Sequence, residues 1–217
     1  MWRTLWRKKF VIITLAFLVA FLPMAMTRDA SVLSKTIVTA IGIDKSGGEV
    51  SVTIESLIFN FDPFGVPERE LTSATAPTID EALYEISLNM GRKISFSHTS
   101  LILLGAGLDD TDLTELLHPF LLKSQLNNGA VLMWTEDDIE TVLQTSIDTG
   151  DVRSAKLQQL ATFNAKPTTD RISTSLEAFF RNSLGRSGNA RINIIELNGD
   201  ELVNSDRTAR FNRGKYQ

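Results

Sequence analysis

Two histidines, no cysteine and a scatter of aspartates are most of what this chain has for chemistry. Without cysteine there is no disulfide framework, no thiolate metal site and no cysteine nucleophile. His98 and His118 stand in no His-x-x-x-His spacing, so neither begins a metal set. His98 reads as a hydrogen-bonded structural residue on a mixed strand, and His118, beside Pro119, as exposed. No Gly-x-Ser-x-Gly elbow is present. Asp109, Asp110 and Asp112 lack the ligand spacing and distal glutamate of a calcium loop. They read instead as helix-capping residues before Leu113. Gly105-Ala106-Gly107 follows an apolar run, as a dinucleotide loop does, but the third glycine is missing and no βαβ unit is laid out around it. Nothing pairs two carboxylates in an apolar setting, as general acid–base work requires. The sequence therefore offers no catalytic, metal or cofactor set, and a binding role is the default.

The elements that would position a binding surface begin with Thr36–Asp44, the densest β-branched run after the N-terminus. In extended backbone Ile37, Thr39, Ile41 and Ile43 face one way, and Val38, Ala40 and Gly42 the other. One face is bulky and the other small, which suits a strand buried on both sides with another element lying close over Gly42. Lys45-Ser46-Gly47-Gly48 is turn chemistry, so Glu49–Phe61 should return as a hairpin. Within it the alternation of Val50, Val52 and Ile54 changes phase before Leu57, Phe59 and Phe61, the mark of a β-bulge near Ser56. Two prolines stiffen Asp62–Pro67, whose Phe61, Phe64 and Val66 either form a contact patch or fold back on the core.

Downstream, Leu71–Thr75 reads as a short strand. Thr78 and Glu81 form a capping box ahead of the stripe Ile79, Ala82, Leu83, Ile86 and Met90, and Gly91 stops that helix. Ile94–Leu104 reads as one strand or two. Leu113–Leu121 is a helix that Pro119 kinks or restarts, and Ala130–Trp134 is a buried strand. Helices are expected from Ile139, over Val152–Phe163 and over Asp170–Leu184, then a strand at Ala190–Leu197 with an Asn198-Gly199 turn. The class is α+β, an antiparallel or mixed sheet with about five helices.

Ahead of this body lies a different kind of segment. Trp2, Arg3, Trp6, Arg7, Lys8 and Lys9 precede an apolar stretch from Phe10 to Met26. As a helix those residues span about 25 Å, near the short limit for crossing a bilayer. Residues 1–27 therefore read as a signal anchor or a signal peptide, with the basic flank in the cytoplasm and the rest outside. The four cations in this flank are its only charges; taking them from the net −4 leaves −8 on residues 28–217. An acidic body argues against nucleic acid as a partner.

Three blocks together resemble the Ger(x)C spore-germination family, the C subunits of nutrient germinant receptors. The first is Ile41-Gly42-Ile43-Asp44 at the end of its strand, behind a membrane segment. The second runs from Glu81-Ala82 through Gly91-Arg92-Lys93 and the aromatic stretch ending in Ser97-His98, to Leu101–Gly105. The third is Thr208-Ala209-Arg210-Phe211 with Gly214-Lys215, similar to the strand that opens the family's second domain, with Arg207 and Arg210 in place of its glycine and valine. His118 and Lys123 stand where the family tends to have an aspartate and an arginine. The lipobox cysteine usual near positions 26–27 is absent here, which leaves anchoring to the protein helix. The resemblance implies a family N-terminal domain at 28–200 and a truncated start of a second domain, loosely packed, at 201–217. It also implies a single-pass protein at the inner spore membrane that binds multi-pass and transporter-like receptor subunits, with no enzymatic activity and no cofactor. The alternatives are a truncated membrane-tethered scaffold without receptor function and an extracytoplasmic hydrolase with an unrecognised site.

Overall fold

A computed structural model describes residues 35–58, 68–122, 126–145, 174–199 and 201–217. The membrane segment, the Phe61, Phe64 and Val66 loop and the helix expected over Val152–Phe163 lie outside the described residues. Nine strands and four α-helices are described. The hairpin β1 (Lys35–Ser46) and β2 (Glu49–Ile58) is followed by β3 (Glu68–Ala76), α1 (Ile79–Met90), β4 (Lys93–Ser95) and β5 (Leu101–Gly105). Then come α2 (Leu113–Leu122), β6 (Val131–Thr135), α3 (Ile139–Gln144), α4 (Leu176–Ser183), β7 (Asn189–Asn198), β8 (Glu201–Asn212) and β9 (Lys215–Tyr216). The strands form one mixed sheet in the order β3-β2-β1-β5-β6-β7-β8-β9, with β4 paired beside β1. Strands β1, β5, β6 and β7 run parallel, and the outer pairs are antiparallel.

The central strands are apolar on both faces because both faces are covered. On β5, Ile102 and Leu104 enter the larger core with α1, α2 and α4, while Leu101 and Leu103 enter a smaller core with α3. On β6, Leu132 and Trp134 divide from Val131 and Met133 in the same way. The small face of β1 meets α3: a Cβ added at Gly42 would collide with Ile139 Cγ2. Both residues of the β1–β2 turn, Gly47 and Gly48, have φ of 63° and 93°, the left-handed pair that a two-residue hairpin needs.

Several expectations are corrected. The bulge lies on β1, not β2: Val38 pairs with Ser56 and Ala40 with Glu55, leaving Thr39 as the extra residue, while β2–β3 pairing is unbroken. The extra residue reverses the alternation, so Val38 rather than Ile37 joins Ile41 and Ile43 in the large core. A parallel crossover does surround the glycine loop, since β5, α2 and β6 form a βαβ unit. Helix α2 continues through Pro119. The proline leaves the Glu115 carbonyl without an i+4 donor, and Glu115 is exposed to water. Nor are residues 207–217 loosely packed. β8 pairs along β7, Phe211 is buried edge-on to Trp134 and Phe179, and the Tyr216 ring stacks on Trp134 at 5.3 Å. The Leu113 N–H donates to the Gly214 carbonyl at 2.9 Å, tying this end to α2.

Across the β7–β8 hairpin Arg207 donates to Glu196 Oε1 at 2.6 Å and reaches Glu136 at 3.5 Å. The hydrogen bond from Arg207, then one from Ser205, holds the Glu196 carboxyl below its ordinary 4.5. A carboxylate with a depressed folded-state value contributes stability that is present above the ordinary value and lost as pH falls through the folded one. Glu196→Gln should therefore lower the thermal midpoint slightly at pH 6, with the difference closing as pH drops below 4.5. Melting curves at stepped pH check it. Both groups are largely exposed, so the effect is small.

Candidate docking surface

Two of the three sequence blocks meet near the end of β1. Asp44 lies two residues before the end of the strand, and its Oδ1 accepts the Lys45 N–H at 2.8 Å and the Gly107 N–H at 2.9 Å. The loop after β5 can approach because Gly105 and Gly107 have no side chains: a Cβ at Gly105 would meet the Asp44 carboxylate, and one at Gly107 the Lys45 carbonyl. The glycines that look like a phosphate cradle thus make room for a carboxylate of the same chain. Asp44→Ala should cost about 1–2 kcal/mol, from two charge-assisted hydrogen bonds lost at a half-exposed site, read as a shift in the urea midpoint.

Around the hairpin tip lie two recesses. One, of about 410 Å³, is walled by Val50, Pro77, Ile79, Leu116 and Pro119 and rimmed by Asp80, Asp112 and Glu115. The other, of about 230 Å³, is lined by Asp44, Asp138 and Glu140 with hydroxyls from Ser46, Ser51, Thr53 and Ser73. Lys45 lines both. Two of their acids are engaged in capping. Asp112 Oδ1 accepts the Thr114 N–H at 2.9 Å and the Thr114 hydroxyl at the start of α2. Asp138 Oδ2 accepts the Thr141 N–H at 2.8 Å and its hydroxyl at 2.7 Å at the start of α3. This is the capping expected of Asp112, and Asp138 does the same for α3. Among the described residues no three His, Asp or Glu side chains are grouped as a metal site would need.

Ile41 and Ile43 are fully buried. Thr78 Oγ1 caps α1 by accepting the Glu81 N–H at 3.3 Å, and Gly91 ends the helix at φ 60°. Arg92 is exposed, and its carbonyl accepts the Ser87 hydroxyl at 2.9 Å. His98 is not on a strand: it is exposed in the turn closed by the Thr99 N–H on the Phe96 carbonyl at 3.1 Å. That turn drives Phe96 inward, edge-on to Phe120, and separates β4 from β5. Trp2, Arg3, Trp6, Arg7, Lys8 and Lys9 lie outside the described residues, as do Phe61, Phe64 and Val66. No described helix is long and apolar enough to cross a membrane.

Reading only the buried stripe of α1 passes over its outer face. Tyr84 and Leu88, one turn apart, are 64% and 61% exposed. Asp80, Glu81 and Glu85 surround them, with Arg92 and Lys93 beyond the helix end, all exposed. Two large apolar side chains off the buried stripe are a signal that the helical spacing itself contains.

Residues 33–197 match a family model described as the spore germination protein N-terminal domain. No curated protein and no solved structure matches the chain.

Proposed function

The chain belongs to the family of the spore germination protein N-terminal domain, and on that premise we propose that it serves as a C-type subunit of a spore nutrient germinant receptor. In this reading residues 1–27 hold it to the inner spore membrane, and the body outside docks onto multi-pass and transporter-like receptor subunits. It acts by binding and not by catalysis. The observation that carries this is the extent of the match, which runs from ahead of β1 into β7 and so takes in the smaller core and most of the larger one rather than one motif. The use of Asp44, Asp112 and Asp138 as backbone caps also supports binding, because a carboxylate spent on N–H groups is poorly placed to move protons.

The test is a tagged pull-down from detergent-solubilised membranes of sporulating cells, read by mass spectrometry. Recovery of both a multi-pass and a transporter-like receptor subunit is expected. Membrane-bound protein that recovers neither would overturn receptor assembly and favour a tethered scaffold.

A further inference from the structure

The outer face of α1 is self-complementary. Residues four apart lie on one side of a helix, so Tyr84 and Leu88 form a single apolar step. Acids stand on the N-terminal side of that step, at Asp80 and Glu81. Cations stand on the C-terminal side, at Arg92 and Lys93, and all four are exposed. A two-fold axis passing at the level of Ile86 would set a second α1 antiparallel to the first. Tyr84 of one copy then faces Leu88 of the other. Asp80 in the first turn and Arg92, just past the Gly91 cap, are exchanged, so acid meets cation at both ends. Any surface joined by a two-fold axis must complement itself in this way, and the charges on this face do so in sign.

We propose that α1 is a homodimer contact, its occupant the α1 of a second copy of this chain. One helix pair buries less than the roughly 1,200 Å² at which stable interfaces begin, so the dimer is weak, with a Kd on the order of 10⁻⁴ M. The pairing does not depend on the receptor reading above.

The test is sedimentation equilibrium of the full chain in detergent, held below one chain per micelle, up to about 0.3 mM, a few times the expected Kd. Leu88→Gln keeps every charge and should weaken association at least tenfold. Asp80→Lys with Glu81→Lys should do the same. Adding Arg92→Glu and Lys93→Glu to that chain reverses the whole pattern and should restore self-association to within about threefold, while circular dichroism confirms the fold of each variant. A different protein with fixed charges would not follow that restoration. The natural absence of cysteine allows a second readout. When Tyr84→Cys and Leu88→Cys chains are mixed equally, the 84–88 disulfide should outpace the 84–84 and 88–88 disulfides. A monomer throughout the range, a dimer indifferent to Leu88→Gln, or a fully reversed chain that stays monomeric would each overturn the proposal.

Discussion

Gly42→Val should lower the stability of the domain by about 3 kcal/mol or more, although valine is the better strand residue. Intrinsic preference favours valine over glycine by up to about 1 kcal/mol, because glycine loses more backbone freedom on folding. Packing decides the other way. Gly42 lies in the middle of β1, paired with Thr53 on one side and Leu103 on the other, so the strand cannot shift. Even a bare Cβ there would overlap Ile139 Cγ2, and Leu143 Cδ1 is a further 3.6 Å neighbour. Valine therefore forces α3 off the sheet or Ile139 out of its rotamer. Gly42→Ala in an Ile139→Ala background isolates the cause. The remaining Ile139 Cβ stands at 3.6 Å, an ordinary contact. Ile139→Ala alone should cost about 2–4 kcal/mol, since the side chain is 5% exposed. Gly42→Ala should then cost little more, giving a favourable coupling of about 1 kcal/mol or more in a double-mutant cycle by urea denaturation. Equal costs in both backgrounds would mean that backbone freedom, and not α3, demands the glycine.

What could be read ahead of the structure was local chemistry. Gly47-Gly48, the Thr78 cap and Gly91 each answer a requirement met within four residues, and each stands where expected. The small face of β1 was legible too, because Ala40 and Gly42 side by side in a β-branched run leave room that some element must fill. What escaped depends on partners distant in the chain. The phase change before Leu57 was visible, but it does not say which strand holds the extra residue; only the pairing of Val38 with Ser56 assigns it to Thr39. Gly105 and Gly107 could be set aside as a ligand loop but not explained, because the Asp44 carboxylate they make room for lies 63 residues upstream of Gly107. His98 left its strand for a turn whose hydroxyl from Thr99 bonds the Val38 carbonyl, again across β1. The two ends of α1 were each legible, yet a charge pattern that matches a second copy appears only when the outer face is read as a whole.

The same bulge underlies the other large effect expected here. Arg69 on β3 reaches Glu55 on β2 at 3.2 Å, with the two side chains 8% and 2% exposed. Thr39, the extra residue of β1, donates its hydroxyl to Glu55 Oε2 at 2.8 Å and also approaches the Glu55 carbonyl at 3.2 Å. One carboxylate thus joins three strands at the point where the β1 ladder slips. Arg69→Met keeps much of the length of the side chain but leaves Glu55 a buried charge without this cation, and should cost about 3–5 kcal/mol. Replacing both residues with methionine removes the charge along with its partner, and should return most of that loss. The double variant then separates stability from register. Thr39 would retain only the longer bond to the Glu55 carbonyl, so amide exchange at Val38–Ala40 should speed up even where the denaturation midpoint has recovered. A double variant as unstable as Arg69→Met would show that packing of the long side chains, and not their charge, holds the three strands. Recovery of both midpoint and exchange protection would assign the bulge to the β1–β2 ladder alone. Faster exchange on a restored midpoint would assign to the ion pair the choice of Val38 over Ile37 for the core.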